Sequence, residues 1–155
     1  MPLNTSNLSL SSDELMSLIP NRAPYLWVDE VVSIDESSIK CKKTVTEDLP
    51  VFEGHYPEFP LFPGCLQCES TLQAASILIA AIGAGSADRI PVATRLNNVQ
   101  FRQMVRPGDV LDISVKIEER VGPAFYCRGR VEREGRITTR LDFVVTEADR
   151  PKSDS

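Results

Sequence analysis

The chain has 155 residues, 42% of them hydrophobic and 25% charged, which suits one globular domain of about 100–150 residues and is short for two. Seventeen Lys and Arg against 22 Asp and Glu leave a net charge of −5 and a pI near 4.9, which argues against an electrostatic grip on nucleic acid or anionic lipid. Eight Gly and 11 Pro are ordinary usage and exclude collagenous and low-complexity classes.

The first residues, MPLNTSNLSLSS, contain no Lys or Arg and no apolar run, so no export signal is expected. The four cysteines then read as core thiols of a cytoplasmic protein. Residues 1–10 and 148–155 read as polar tails around a single domain at 11–147. Ser11 and Glu14 have capping-box spacing, and Leu15, Leu18 and Ile19 supply an apolar stripe before Pro20 ends a short helix. The aromatic and β-branched run from Tyr25 to Ile34, the turn cluster at 35–38 and the alternation through Ile39, Cys41 and Val45 predict a hairpin. Pro50, Pro57, Pro60 and Pro63 exclude regular structure over 47–63 and predict an ordered loop. From Gly64 to about Ile82 no proline interrupts a supply of Leu, Ile and Ala, giving a helix of roughly 28 Å at 1.5 Å per residue. The uncharged stretch at 70–87 contains Thr71, Gln73 and Ser76 and falls short of the ~20 mainly apolar residues of a membrane span. Period-two patterns then begin at Val99 and run to Val145, punctuated by Pro107-Gly108, Gly122-Pro123 and Glu134-Gly135. One long helix, apolar on nearly every side, with about six antiparallel strands, predicts an α+β domain in which a curved sheet covers the helix.

Candidate chemistry gathers where the proline-rich loop meets that helix. His55 is the single histidine, and Glu69 is the only acid between Glu58 and Asp88. A carboxyl near a helix start is favoured by the macrodipole even when it faces water. One enclosed by apolar groups has a raised pKa and can act as a general acid. Gln73, at i+4, is placed to hydrogen-bond it. Pro63-Gly64-Cys65 opens the helix, where unpaired backbone N–H groups can hold negative charge on a carbonyl oxygen. Gly64 either allows close approach of a ligand or simply starts the helix. Cys65 and Cys68 form a C-x-x-C, but Cys41 and Cys127 lie apart on strands, so no metal site is expected. Nucleotide-binding and serine-hydrolase motifs are absent from the sequence.

Three segments, PNRAPYLWVD at 20–29, GHYPEFPLFPGCLQCE at 54–69 and NVQFRQMVRPGD at 98–109, resemble the hot-dog-fold (3R)-3-hydroxyacyl-[acyl carrier protein] dehydratases of bacterial fatty acid synthesis. The resemblance covers about residues 15–146, and its most specific element is G-H-[FY]-P with P-G at the helix start and an acid fourteen residues after the histidine. It implies that His55 removes a proton from the α-carbon of the thioester, that Glu69 protonates the departing 3-hydroxyl, and that the N–H groups of Cys65 and Gly64 polarise the carbonyl, with Gln73 grouped beside them as a substrate-binding residue. It implies no cofactor, an acyl-carrier-protein-bound substrate, and a homodimer, or a trimer of such dimers, in which each site takes His and acid from different chains. The family usually has a histidine where this chain has Asn21. Cys65 resembles the dehydratase/isomerase branch, which however carries Asp at the position of Glu69, so dehydration alone is expected. Arg102 and Arg106 beside the Pro107-Gly108 turn are the candidate patch for an acidic carrier protein. A hot-dog thioesterase and a non-catalytic acyl- or partner-binding module remain the alternatives. Leu72, Ile79 and Phe101 are the residues whose packing would set acyl-chain length.

Overall fold

The predicted capping box forms in the computed structural model, which describes residues 8–152. The Glu14 N–H donates to Ser11 Oγ and the Ser11 N–H to the Glu14 carboxylate, starting helix α1 (Ser12–Leu18). The long apolar segment is helix α2 (Gly64–Ala81), about 27 Å at the standard rise. Ala74, Ala75, Ile77, Leu78 and Ile79 are buried on it, as a helix apolar on all sides requires. Its C-terminus closes through Ala84 N–H to Ile79 O at 3.1 Å and Gly83 N–H to Ala80 O at 3.1 Å, a Schellman-type end.

Seven antiparallel strands form one open sheet around α2: β1 (Leu8–Leu10), β2 (Glu30–Ile34), β3 (Ser38–Thr44), β4 (Arg89–Phe101), β5 (Val110–Val121), β6 (Ala124–Arg133) and β7 (Arg136–Asp149). Their order is β1-β2-β3-β5-β6-β7-β4. This is the hot-dog architecture expected from the sequence. The inward side chains of the central strands, among them Ile39, Cys41, Leu111, Ile113, Phe125, Val131, Leu141 and Phe143, are buried and bring the sheet onto the helix. At Gly129 a Cβ would lie 2.9 Å from the Thr71 side chain, so a glycine is what permits that approach.

Several boundaries differ from the sequence expectation. The polar tail expected at 1–10 includes an edge strand, Leu8–Leu10, paired with β2, and β7 continues to Asp149, two residues past the expected domain end at 147; residues 1–7 and 153–155 of the expected tails lie outside the described residues. The proline-rich loop contains one regular piece, a 3-10 turn at Pro50–Glu53. Residues 25–28 do not enter the sheet: Tyr25 O and the Trp27 N–H are taken by Gln73 of α2, the Asp29 N–H is the first to donate to β3, at Lys42 O, and the strand starts at Glu30. Strand β4 begins ten residues before Val99, and tolerates Pro91 because it is an edge strand, where a missing N–H interrupts no ladder on its open side. No helix among the described residues is long and apolar enough to cross a membrane.

Candidate active site

His55 is delivered by the loop just beyond the 3-10 turn. Its backbone N–H donates to Val51 O at 2.9 Å and its Nδ1 lies 2.7 Å from Leu61 O. A carbonyl can only accept, so Nδ1 carries the proton and Nε2 is left as an acceptor, the form a general base needs. The next residue, Tyr56, is left-handed at φ 57° and sets its ring edge-on to the imidazole at 4.8 Å. Side chains with β-carbons adopt that conformation at a cost, and such positions gather at functional sites.

At the start of α2, the N–H groups of Leu66 and Gln67 both turn to Pro63 O, at 3.1 and 3.2 Å. Those of Gly64 and Cys65 have no partner among the described residues. They are two preorganised donors at the positive end of an 18-residue helix. A Cβ on Gly64 would sit 2.6 Å from the Phe101 ring, so the glycine lets that aromatic ring rest on the helix start. His55, Gly64, Cys65, Phe62 and Phe101 line a common cavity of about 490 Å³.

Glu69 lies one turn further along α2, half-buried. Burial pushes its carboxyl above the ordinary carboxylate range, partly offset by a hydrogen bond from Gln73. Gln73 is 2% exposed and fully engaged: its Nε2 donates to Tyr25 O at 3.1 Å and to Glu69 Oε1 at 3.3 Å, and its Oε1 accepts from the Trp27 N–H at 2.8 Å. Expected as a substrate-binding group, it is instead committed to orienting Glu69 and pinning the 25–27 segment. Tyr25 stands close by, its phenol pushed upward by burial and by the neighbouring Glu69 and Cys65. Glu69, Leu72, Gln73, Ile79 and Asn21 line a second cleft of about 500 Å³. Asn21, the departure from the family pattern, therefore faces the same space as the proposed acid.

Within one chain the proposed base and acid open into different cavities. Arg102 lines the His55 cavity, and Arg106 stacks over Phe59 at 4.7 Å; neither is in an ion pair among the described residues. All four cysteines are free, and only Cys65 is exposed. Burial pushes the Cys68 thiol up to about 11 and those of Cys41 and Cys127 to about 12, which marks them as core thiols. Sequence reasoning passed over Gln67, whose signal was available: an amide in the first turns of an otherwise apolar helix. It also treated Phe101 only as a packing residue.

The fold and the placement of these groups define a hot-dog protein with a histidine and a half-buried glutamate beside its central helix. A family model described as the FabA-like domain matches residues 19–142. The curated 3-hydroxyacyl-[acyl-carrier-protein] dehydratase FabZ of Rickettsia canadensis is 36% identical over 138 residues, 88% of this chain and 96% of that protein. That of Lactobacillus helveticus is 37% identical over 142 residues, 89% and 95% of the two chains. Among solved structures, the dehydratase heterocomplex ApeI:P from Xenorhabdus doucetiae superposes with a TM-score of 0.72 at 18% identity, covering 93% of each chain. The chain belongs to the FabA-like family, and its two curated relatives named above are 3-hydroxyacyl-[acyl-carrier-protein] dehydratases.

Proposed function

We propose that this protein is a hydro-lyase that converts (3R)-3-hydroxyacyl thioesters on acyl carrier protein to trans-2-enoyl thioesters in fatty acid or related lipid synthesis, with the cytoplasm as its setting. The observation that carries the reading is the set of groups around α2: a histidine with Nε2 free, two unpaired helix-start amides and a carboxyl with a raised pKa. In the proposed reaction His55 Nε2 takes the α-proton. The Gly64 and Cys65 N–H groups hold the negative charge that develops on the thioester oxygen. As the C3–O bond breaks, Glu69 gives its proton to the departing hydroxyl, which leaves as water, and the electron pair closes the new double bond. Base, acid and oxyanion donors complete the chemistry without metal, nucleotide or covalent nucleophile.

The separation of His55 and Glu69 into two cavities supports a homodimer in which each reacting centre combines the His55 cavity of one copy with the Glu69 cleft of the other. Strand β4 has an open edge, with Leu96 and Phe101 exposed along it, the kind of edge that a second copy covers. Arg102, at the mouth of the His55 cavity, and Arg106 are the proposed contacts for the acidic carrier protein.

The test is turnover of a 3-hydroxyacyl carrier-protein thioester by the parent, His55→Ala and Glu69→Gln proteins. Each variant is expected to lose about 10²–10⁴-fold in kcat while keeping its fold. Equal turnover by variant and parent would overturn the assignment, and release of free thiol without enoyl product would favour a thioesterase. Mixing the two inactive variants should restore about a quarter of parental activity if sites are shared across a twofold dimer, because each mixed dimer then holds one intact site. No restoration would place His55 and Glu69 in the same chain's site, and sedimentation of the mixture separates a dimer from a trimer of dimers.

A further inference from the structure

Gln67 is 3% exposed, lines the His55 cavity and takes no part in the chemistry described so far. Its Oε1 accepts from Thr139 Oγ1 at 2.7 Å and from Thr138 Oγ1 at 2.8 Å. Thr138 has a second acceptor in Val131 O at 3.1 Å, whereas the Thr139 hydroxyl has no other partner among the described residues. Among the described residues Gln67 Oε1 is the only acceptor for the proton of this buried hydroxyl, so Thr139 favours the orientation in which the amide oxygen faces the sheet. The other end, Nε2, makes no hydrogen bond among the described residues and is not sealed from solvent. An unpartnered donor on a buried amide whose acceptor is doubly held is a built feature, because rotation of the amide would turn both threonines into acceptors and leave the Thr139 hydroxyl proton with no acceptor among the described residues.

Its direction follows from helix geometry. Gln67 lies three residues after Gly64, on nearly the same face of α2 and one turn further in, and side chains on a helix lean back towards its N-terminus. The amide therefore reaches back over the turn from which the free Gly64 and Cys65 N–H groups point. We propose that Gln67 Nε2 is a third donor to the thioester oxygen, a catalytic residue that strengthens its hydrogen bond as negative charge develops, with Thr139 as the positioning residue that keeps the donor end forward. This rests on the dehydratase reading and adds to it a side-chain member of the oxyanion site.

The experiment compares Gln67→Met, Thr139→Val and the double variant with the parent, reading kcat, KM and thermal midpoint on a 3-hydroxyacyl N-acetylcysteamine thioester. Gln67→Met is expected to lower kcat by about 10²-fold, the usual loss for one oxyanion donor, with KM nearly unchanged. Thr139→Val should cost less, about tenfold, because it frees the amide to turn without removing it. The double variant replaces both partners of a buried hydrogen bond by apolar groups, so it should recover the thermal midpoint lost by Gln67→Met while its kcat falls no further. A well-folded double variant with parental kcat, or a change confined to KM, would overturn the proposal while leaving the dehydratase reading in place. A parent protein with no turnover would overturn both.

Discussion

The loop that carries His55 and the helix turn that carries Glu69 solve the same problem by opposite means. His55 stands on irregular chain, and backbone carbonyls hold it: Val51 O takes its N–H and Leu61 O its ring proton. Glu69 stands on regular helix, and another side chain, Gln73, positions it inside partly desolvated space. The contrast shows how one small domain sets up a base and an acid together. The proposed base has one ring nitrogen left as an acceptor by the Nδ1 contact, and loss of water around the proposed acid pushes its carboxyl upward.

The largest expected effects are the losses of turnover at His55 and Glu69 given above, since those groups are the proposed base and acid. Next comes Gln73→Leu. It leaves the Trp27 N–H and Tyr25 O without partners, so a loss of about 1–3 kcal/mol in unfolding free energy is expected by chemical denaturation. Because the bond from Gln73 lowers the Glu69 carboxyl, its removal should also shift that carboxyl further up, visible in a carbon-13 carboxyl titration. No comparable pair of effects should follow a change in the His55 loop, where the holding groups are backbone.

Gly64→Ala comes third. The added methyl meets the Phe101 ring at 2.6 Å, and overpacking of this kind costs about 1–3 kcal/mol. Phe101 is 58% exposed and can swing aside, so the lower figure is expected, together with reduced turnover, and Phe101→Leu in the same chain should recover the stability. If Gly64→Ala alone leaves thermal midpoint and kcat at parental values, the ring does not constrain the helix start.

The smallest effect separates the two regions by pH. A carboxyl raised above its unfolded value holds its proton longer in the folded state, so the folded protein binds more protons between the ordinary and the raised value. Stability contributed this way is present below the ordinary carboxylate pKa and is lost as pH rises through the raised one. Glu69→Gln, which cannot ionise, should therefore match the parent in thermal midpoint at acid pH and exceed it slightly at neutral pH. A difference that does not change with pH would contradict the desolvated state of Glu69.

Much of this was legible in the sequence because the signals were local. Proline punctuation located the loop, freedom from charge located the helix, and His55, Gly64, Cys65 and Glu69 came from motif spacing within fifteen consecutive positions. What escaped depends on long-range pairing. The early start of β4 is obscured by Pro91, which only an edge position excuses. The loss of residues 25–28 from β2 depends on a contact with Gln73, 46 positions beyond Trp27. Gln73 looked like a ligand group for the same reason, because its partners at Tyr25 and Trp27 are invisible until the chain is folded. Gln67 could have been singled out as an amide in apolar helix, but the threonines that orient it lie on β7.

The bond between His55 Nδ1 and Leu61 O carries one further consequence. A main-chain carbonyl can accept from a neutral imidazole or, more strongly, from an imidazolium, so in the proposed reaction capturing a proton at Nε2 demands no rearrangement on the far side of the ring. The side chain can load and unload at one nitrogen while hinged at the other, without flipping between turnovers. In the proposed cycle the ring then ends in the geometry in which it began, and the reset consists of a proton lost from His55 and one regained by Glu69.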